Sequence, residues 1–322
     1  MEIIIIYLSS LLVTIIGIKY FIKLVKDNKI LRRNETSEII KKSCIRELHK
    51  NKLSTPTMGG VVMNMVLLIM VIIYYLINKE ILWFNIFVIL FGFMGFIDDY
   101  IKIKKVRDGV TPKEKLIGLT IISLFYVLFL ISTNQVNGIV LVPFVNKVIQ
   151  LNIIIYSVFL VVLLIGTTNS VNIIDGLDGL ALGIGIIILA FIALISWEVK
   201  NTSILYSSLI VQASCIGMLV FNKYPAKIFI GDTGALFLGG AIAIFMIELN
   251  IPLWIIIVSA LCLWETMTVI IQLTSLKLTE KKVFKIAPYH HHLEKCGWKE
   301  TKIVYTFWSI TLILCVIGYL GI

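Results

Sequence analysis

Charge is scarce in this chain: Asp, Glu, Lys and Arg make up 15% of its 322 residues and 59% are hydrophobic, whereas an ordinary soluble domain carries about 25% charged residues. That balance excludes a soluble globular protein. The apolar residues also lack the strict alternation of membrane β-strands, which excludes a barrel. Five cysteines, Cys44, Cys215, Cys262, Cys296 and Cys315, form no C-x-x-C pair and no metal-finger spacing. They read as packing residues, not disulfides or metal ligands. The first apolar run has no basic segment before it and no small-residue cleavage site, so residues 3–25 are expected to remain as a membrane span. There is no clear internal repeat and no soluble segment of domain size, so residues 1–322 read as one integral membrane domain.

What is present is a series of apolar runs near the roughly 17–25 residues that a hydrocarbon core of about 30 Å demands. They fall at about 3–25, 58–77, 81–97, 116–132, 151–168, 179–197, 204–221, 235–249, 253–274 and 303–320, predicting an all-α polytopic membrane protein of ten spans. With the N-terminus outside, the inner loops are 26–57, 98–115, 169–178, 222–234 and 275–302; together with Lys19 and Lys23 they hold 26 of the 29 Lys and Arg residues. Only Lys79, Lys147 and Lys200 lie outside. The positive-inside rule therefore predicts both termini out and five cytoplasmic loops. The net charge of +10 follows mostly from this topology and needs no nucleic-acid partner. A basic inner face also suits anionic membrane lipids and a phosphate-rich substrate. The outer segment 133–150 carries β-branched runs and Asn137-Gly138, which predict a small hairpin.

The rare acids are not scattered. Five of the seven aspartates, Asp98, Asp99, Asp175, Asp178 and Asp232, lie at inner ends of spans, and His290, His291 and His292 stand together in the last inner loop. Loops assigned to one side by their lysines thus also hold the carboxylates and imidazoles, which marks a site on the cytoplasmic face. Asp98 and Asp99 close an apolar run with no cation in the preceding turn. Such neighbours repel each other and call for a cation, and hard oxygens beside phosphate suit Mg²⁺. In 167–183 the spacing of Asn169, Asn172, Asp175 and Asp178 puts them on one face of a helical turn, and the glycines at 176, 179, 183 and 185 also allow a broken helix end lining a polar cavity. Gly231 and Gly234 flank Asp232 before a span, where a starting helix would offer its N–H groups to an anion and leave Asp232 free for a metal. Consecutive histidines cannot all face one metal from a regular helix; imidazoles over a diphosphate fit better. Phe229 suits stacking on a base or anchoring at the membrane interface. Each feature alone also has a plain structural reading, as a solvated helix-end acid, an N-cap or small-residue helix packing.

Together these segments resemble the polyprenyl-phosphate N-acetylhexosamine-1-phosphate transferase superfamily, and within it the phospho-N-acetylmuramoyl-pentapeptide transferases of bacterial peptidoglycan synthesis. The resemblance runs through all five inner loops in order: Thr55–Gly60, Asp98-Asp99-Tyr100, Asn169–Gly179, Gly231-Asp232-Thr233-Gly234, and Ala287–His292 followed by Gly297-Trp298-Lys299. It implies a Mg²⁺-dependent exchange in the bacterial plasma membrane. Undecaprenyl phosphate would attack the β-phosphorus of UDP-N-acetylmuramoyl-pentapeptide (UDP-MurNAc-pentapeptide), releasing UMP and leaving lipid I. By motif, the resemblance implies Asp232 as the principal Mg²⁺ ligand with Asp99 and Asp175 near the metal. It implies Asp98 as the group that receives or orients the lipid phosphate, and His290, His291 and His292 as diphosphate contacts. Asn169, Asn172, Asp175 and Asp178 would meet the nucleotide sugar; Lys52, Thr57, Asn222, Phe229 and Gln272 would line the nucleoside pocket; Lys102 and Lys115 would face phosphates. A homodimer is the usual assembly of relatives. Two alternatives share parts of the pattern. One is the sister branch that uses UDP-N-acetylglucosamine, which Ile174 resembles. The other is a ten-span secondary transporter, which places acids near the bilayer midplane, where Glu265 is the clear example.

Overall fold

Long runs of Ile, Leu, Val and Phe leave the backbone to satisfy its own hydrogen bonds inside a bilayer, and the chain does so almost entirely with helices. The structure, a computed structural model, describes residues 2–27, 55–78, 82–104, 109–136, 138–145 and 147–322. Among these residues the elements are α1 (Glu2–Asp27), α2 (Gly60–Asn78), α3 (Phe84–Ile103), α4 (Pro112–Ser132), β1 (Ile139–Val142), β2 (Lys147–Gln150), α5 (Ile153–Ile174) and α6 (Leu180–Glu198). They continue with α7 (Thr202–Asn222), α8 (Gly231–Glu248), α9 (Trp254–Val258), α10 (Ala260–Thr279), α11 (Tyr289–Lys295) and α12 (Glu300–Leu320). Nine of the described helices, all but α3, α9 and α11, are long and apolar enough by length and composition to cross a membrane. The protein is an all-α polytopic membrane protein, and α3 occupies the third expected span.

Local signals set several helix starts. Thr111 and Glu114 form a reciprocal capping box, with Thr111 N–H donating to Glu114 Oε2 at 2.9 Å and Pro112 opening α4. Asn152 caps α5 through Ile154 N–H at 2.8 Å, and Asn201 caps α7 through Ile204 N–H at 3.1 Å.

The centre of the bundle is α8. Its span is 83% buried, against 17% for α1. Small residues make this possible: a Cβ on Gly60 of α2 would run into the Gly234 backbone, and one on Gly95 of α3 would run into the Asp232 carbonyl. The helices therefore meet backbone to backbone at the start of α8, the mode by which membrane helices gain packing without a hydrophobic drive. Further along, Phe84 and Phe245 meet edge to face, 6.0 Å between ring centres.

The expected single span at 253–274 is instead broken at Ser259 into α9 and α10. Trp254 Nε1 donates to the Gly318 carbonyl at 2.8 Å, which pins α9 against α12. At the end of the bundle remote from the acids, β1 and β2 pair antiparallel with Ile139 opposite Gln150 and Val142 opposite Lys147. The expected hairpin forms, with turn residues at 143–145, while Gly138 lies at the open end of the ladder, where its carbonyl accepts the Leu151 N–H at 2.9 Å. Phe144 N–H donates to the Gly321 carbonyl at 3.1 Å, and Tyr206 Oη donates to Glu2 Oε2 at 3.5 Å, so both chain ends share this end of the bundle.

Candidate active site

The opposite end gathers the last turns of α3 and α5 with the first turns of α4 and α8. Asp98 and Asp99, each 3% exposed, serve different neighbours because consecutive helix positions point apart. Asp99 Oδ1 accepts the Asp232 N–H at 3.2 Å, and Oδ2 accepts the Thr233 N–H at 2.9 Å and the Thr233 hydroxyl at 2.7 Å. The position before α8 is Ile230, which has no side-chain acceptor, so Asp99 caps that helix from α3. This corrects the expectation that the first N–H groups of α8 lie open to an anion: a carboxylate of the same chain already fills that place.

Asp98 turns the other way. Its Oδ1 accepts the Val110 N–H at 2.6 Å, its Oδ2 accepts from Lys102 Nζ at 2.9 Å, and Lys115 Nζ stands 3.5 Å away. Asp232 shares both cations: Lys102 bonds its Oδ2, and Lys115 reaches its Oδ1 at 3.3 Å. Asn172 donates to the same Oδ1, and its own carbonyl accepts from Lys115 at 2.8 Å. The cations missing from the turn before Asp98 thus come from the turn after it and from α4.

The spacing that put Asn169, Asn172, Asp175 and Asp178 on one helical face holds only for the two asparagines. Helix α5 ends at Ile174; Asp175 leaves helical geometry with φ −76° and ψ 52°, and Asp178 lies beyond it in the turn. Desolvation, then the charges of Asp232, Asp99 and Asp178, hold the Asp175 carboxyl well above the usual carboxylate range. Asp178 and Asn222 stitch the neighbouring loop in place. Asp178 Oδ2 accepts the Ala226 N–H at 2.9 Å, while Asn222 accepts the Gly179 N–H at 3.0 Å and donates to the Ile228 carbonyl at 2.9 Å. The same loop pairs with the Thr57 segment: Phe229 N–H donates to Pro56 at 2.8 Å, and Gly59 N–H returns to the Phe229 carbonyl at 2.9 Å. Phe229 and Thr57 therefore sit on adjoining segments of one wall, half-buried. Lys52 lies outside the described residues.

The three histidines of α11 have three different surroundings. His291 Nδ1 is 2.6 Å from Glu294 Oε2. His292 Nδ1 accepts the Lys285 N–H at 3.1 Å, and its ring stacks on Tyr289 with centres 5.4 Å apart. His290 is wholly buried. Gln272 Oε1 accepts the Val283 N–H at 3.2 Å and the Phe284 N–H at 2.8 Å, folding the loop after α10 back toward them. Among the described residues no three His, Cys, Asp or Glu side chains form a ready-made metal cluster.

Residues 81–250 match the family model described as glycosyl transferase family 4. Similarity to phospho-N-acetylmuramoyl-pentapeptide-transferases extends over most of the chain. That of Acetivibrio thermocellus is 40% identical over 282 residues, covering 85% of this chain and 83% of the relative. That of Clostridium beijerinckii is 41% identical over 278 residues, covering 85% and 84%. That of Bacillus thuringiensis is 40% identical over 281 residues, covering 85% and 86%. The chain belongs to the phospho-N-acetylmuramoyl-pentapeptide-transferase family.

As a family member it is a membrane phosphoglycosyl transferase. The segment matched by the glycosyl transferase model holds the whole cluster of Asp98, Asp99, Lys102, Lys115, Asn172 and Asp232. Of three carboxylates that brace the candidate site, Glu300 and Glu294 escaped the motif reading, and Glu265 was noted only as a mid-span acid. Glu300 Oε1 accepts the Asp178 N–H at 2.7 Å, Glu294 pairs with His291, and Glu265 bonds the start of α11. Only Glu294, three residues after His291 on one helix, carried a spacing signal; the other two act across elements.

Proposed function

We propose that the chain transfers phospho-N-acetylmuramoyl-pentapeptide from its UDP carrier to undecaprenyl phosphate, yielding lipid I and UMP at the cytoplasmic face of the bacterial plasma membrane. The observation that carries this reading is the joining of Asp98, Asp232, Lys102, Lys115 and Asn172 at one end of the bundle. Both reactants are anions. Lys102 and Lys115 stand between two carboxylates, ready to exchange a carboxylate oxygen for a phosphate oxygen and so offset the repulsion between donor and acceptor. Asp98, held by Val110 and Lys102, is placed to orient the incoming lipid phosphate or take its proton. Asn172 fixes the rotamer of Asp232 from the opposite side.

Mg²⁺ fits the donor set. Asp98 and Asp232 share two ammonium groups, Lys102 and Lys115, while Asp175 lies close enough to feel the charges of Asp232 and Asp99; such hard oxygens suit a cation that takes one or two carboxylates and completes its shell with water and substrate oxygens. Asp232, with Asp175 near it, would hold the ion, while Asp99, expected beside the metal, is committed to capping α8; the ion would supply charge neutralisation for the departing UMP phosphate.

UMP release by the purified protein in detergent, with undecaprenyl phosphate and Mg²⁺, tests the reading. Release is expected with UDP-MurNAc-pentapeptide and not with UDP-N-acetylglucosamine; the reverse pattern moves the chain to the sister branch, and release with neither overturns the transfer. In the same assay His291→Ala is expected to lower turnover by about 10²-fold, the usual scale for a positioned acid, base or charge-stabilising donor. Unchanged turnover in that variant would make the Glu294–His291 pair a device for holding α11.

A further inference from the structure

Glu265 is a buried carboxylate that the proposed transfer leaves unused. It is wholly buried in α10, and among the described residues the His290 ring stands at ion-pair distance from it. A carboxylate can stay inside a protein only if hydrogen bonds replace its water. Glu265 Oε2 accepts the Tyr289 N–H at 2.6 Å, and Oε1 accepts the His290 N–H at 3.1 Å. These are the first N–H groups of α11, whose N-cap residue, Pro288, offers no side-chain acceptor. The short helix is therefore capped from another helix, 24 residues earlier in sequence.

The same carboxylate also faces the imidazole, with His290 Nδ1 3.3 Å from Glu265 Oε2. The far side of the ring points at the turn that carries Asp175: a Cβ on Gly176 would collide with His290 Nε2. Glycine at 176 thus leaves the space that the ring occupies. Neither ring nitrogen has a hydrogen-bond partner among the described residues, although the side chain is 1% exposed. A buried polar atom without a partner is costly, and one aimed at a catalytic turn is poised for a ligand atom.

We propose that Glu265 is the positioning residue of His290: it anchors the first turn of α11 and presents the ring, Nε2 foremost, to the Asp175-Gly176 turn. The proposal rests on the transferase reading above. A carboxylate beside Nδ1 favours a proton on that nitrogen and fixes the ring's direction, the role that orienting carboxylates play for histidines in other sites.

Glu265→Gln in the full-length protein keeps the shape, removes the charge and turns an N–H donor toward one of the two backbone N–H groups. Turnover is expected to fall about 10²-fold with less than about a threefold change in KM for the UDP-linked substrate, and Glu265→Asp should recover part of the loss. In a His290→Ala background the same Glu265→Gln change should cost less than about twofold, because residues acting as one unit are not additive. Amide exchange read by mass spectrometry should speed up at 289–292 and stay unchanged in α8. An equal loss in the His290→Ala background, or unaltered exchange in α11, overturns the proposal. If the unsubstituted protein releases no UMP, it is the transfer reading that fails, and the exchange comparison still decides the role of Glu265. Should Glu265→Gln fail to fold, Glu265→Asp carries both readouts, since its shorter carboxylate cannot reach both N–H groups at once.

Discussion

Asp232→Asn is expected to lower UMP release by about 10³-fold, the scale on which a preorganised charge-stabilising group acts, while the purified protein stays folded. The side chain now accepts from three donors: Lys102 on one oxygen, and Asn172 with Lys115 on the other. A carboxamide would set its NH₂ against one of those donors and remove the negative charge that holds two ammonium groups and, in the proposed reaction, the metal. Structure is preserved because the start of α8 is capped by Asp99 and not by Asp232, and because Asp98 still holds Lys102 at 2.9 Å. Initial rates beside a thermal melt decide the matter. Wild-type turnover removes Asp232 from the reaction, and a collapsed melting transition makes it a structural residue.

Gly95→Val is expected to damage stability and activity together. The first side-chain atom at 95 would run into the Asp232 carbonyl and come within 2.6 Å of the Thr233 nitrogen. Both are backbone atoms, so no rotamer change relieves the clash, and α3 must back away from α8. That movement pulls Asp99 off the N–H groups of Asp232 and Thr233 and shifts Asp98 from Lys115. Overpacking of this kind costs about 3 kcal/mol or more when the obstacle is backbone, and the displaced carboxylates should reduce turnover by at least about tenfold. Gly166→Ala is the control, since a Cβ there meets nothing within 4 Å. A Gly95→Val protein that melts with the wild type would show that the two helices are not in backbone contact at this level.

The spans were legible because apolar runs and bilayer thickness are matched quantities; 179–197, for example, became Leu180–Glu198. The misplaced helix ends share one cause. Helices α3, α4 and α8 run past their apolar stretches into Asp98-Asp99, Lys113–Lys115 and Gly231–Gly234, since a count of apolar residues stops at the first charge. These polar turns remain helical because distant elements satisfy them. Asp99 bonds an N–H 133 residues away, and Lys115 a carboxylate 117 away. No local pattern announces such partners, and for the same reason the role of Glu265 was invisible. At the Asp175 turn the one-face spacing carried the helix too far, while the broken helix end that the glycines of DGLDG allowed is what forms. The break at Ser259 has neither Pro nor Gly to signal it and follows from how Trp254 is tethered to α12.

The enclosure of α8 bears on how the protein meets membranes of different thickness. Hydrophobic mismatch is absorbed by tilting or by stretching and thinning the lipid around those helices that touch it. Here the outer elements such as α1 take that load, while Asp232 hangs from the helix with 83% of its span walled off by protein. The spacing of Asp232, Asp98 and Lys102 is set by contacts between backbones and side chains, none of which involve acyl chains. A cell can therefore lengthen or shorten its lipids and change the tilt of the rim without moving the groups at the centre.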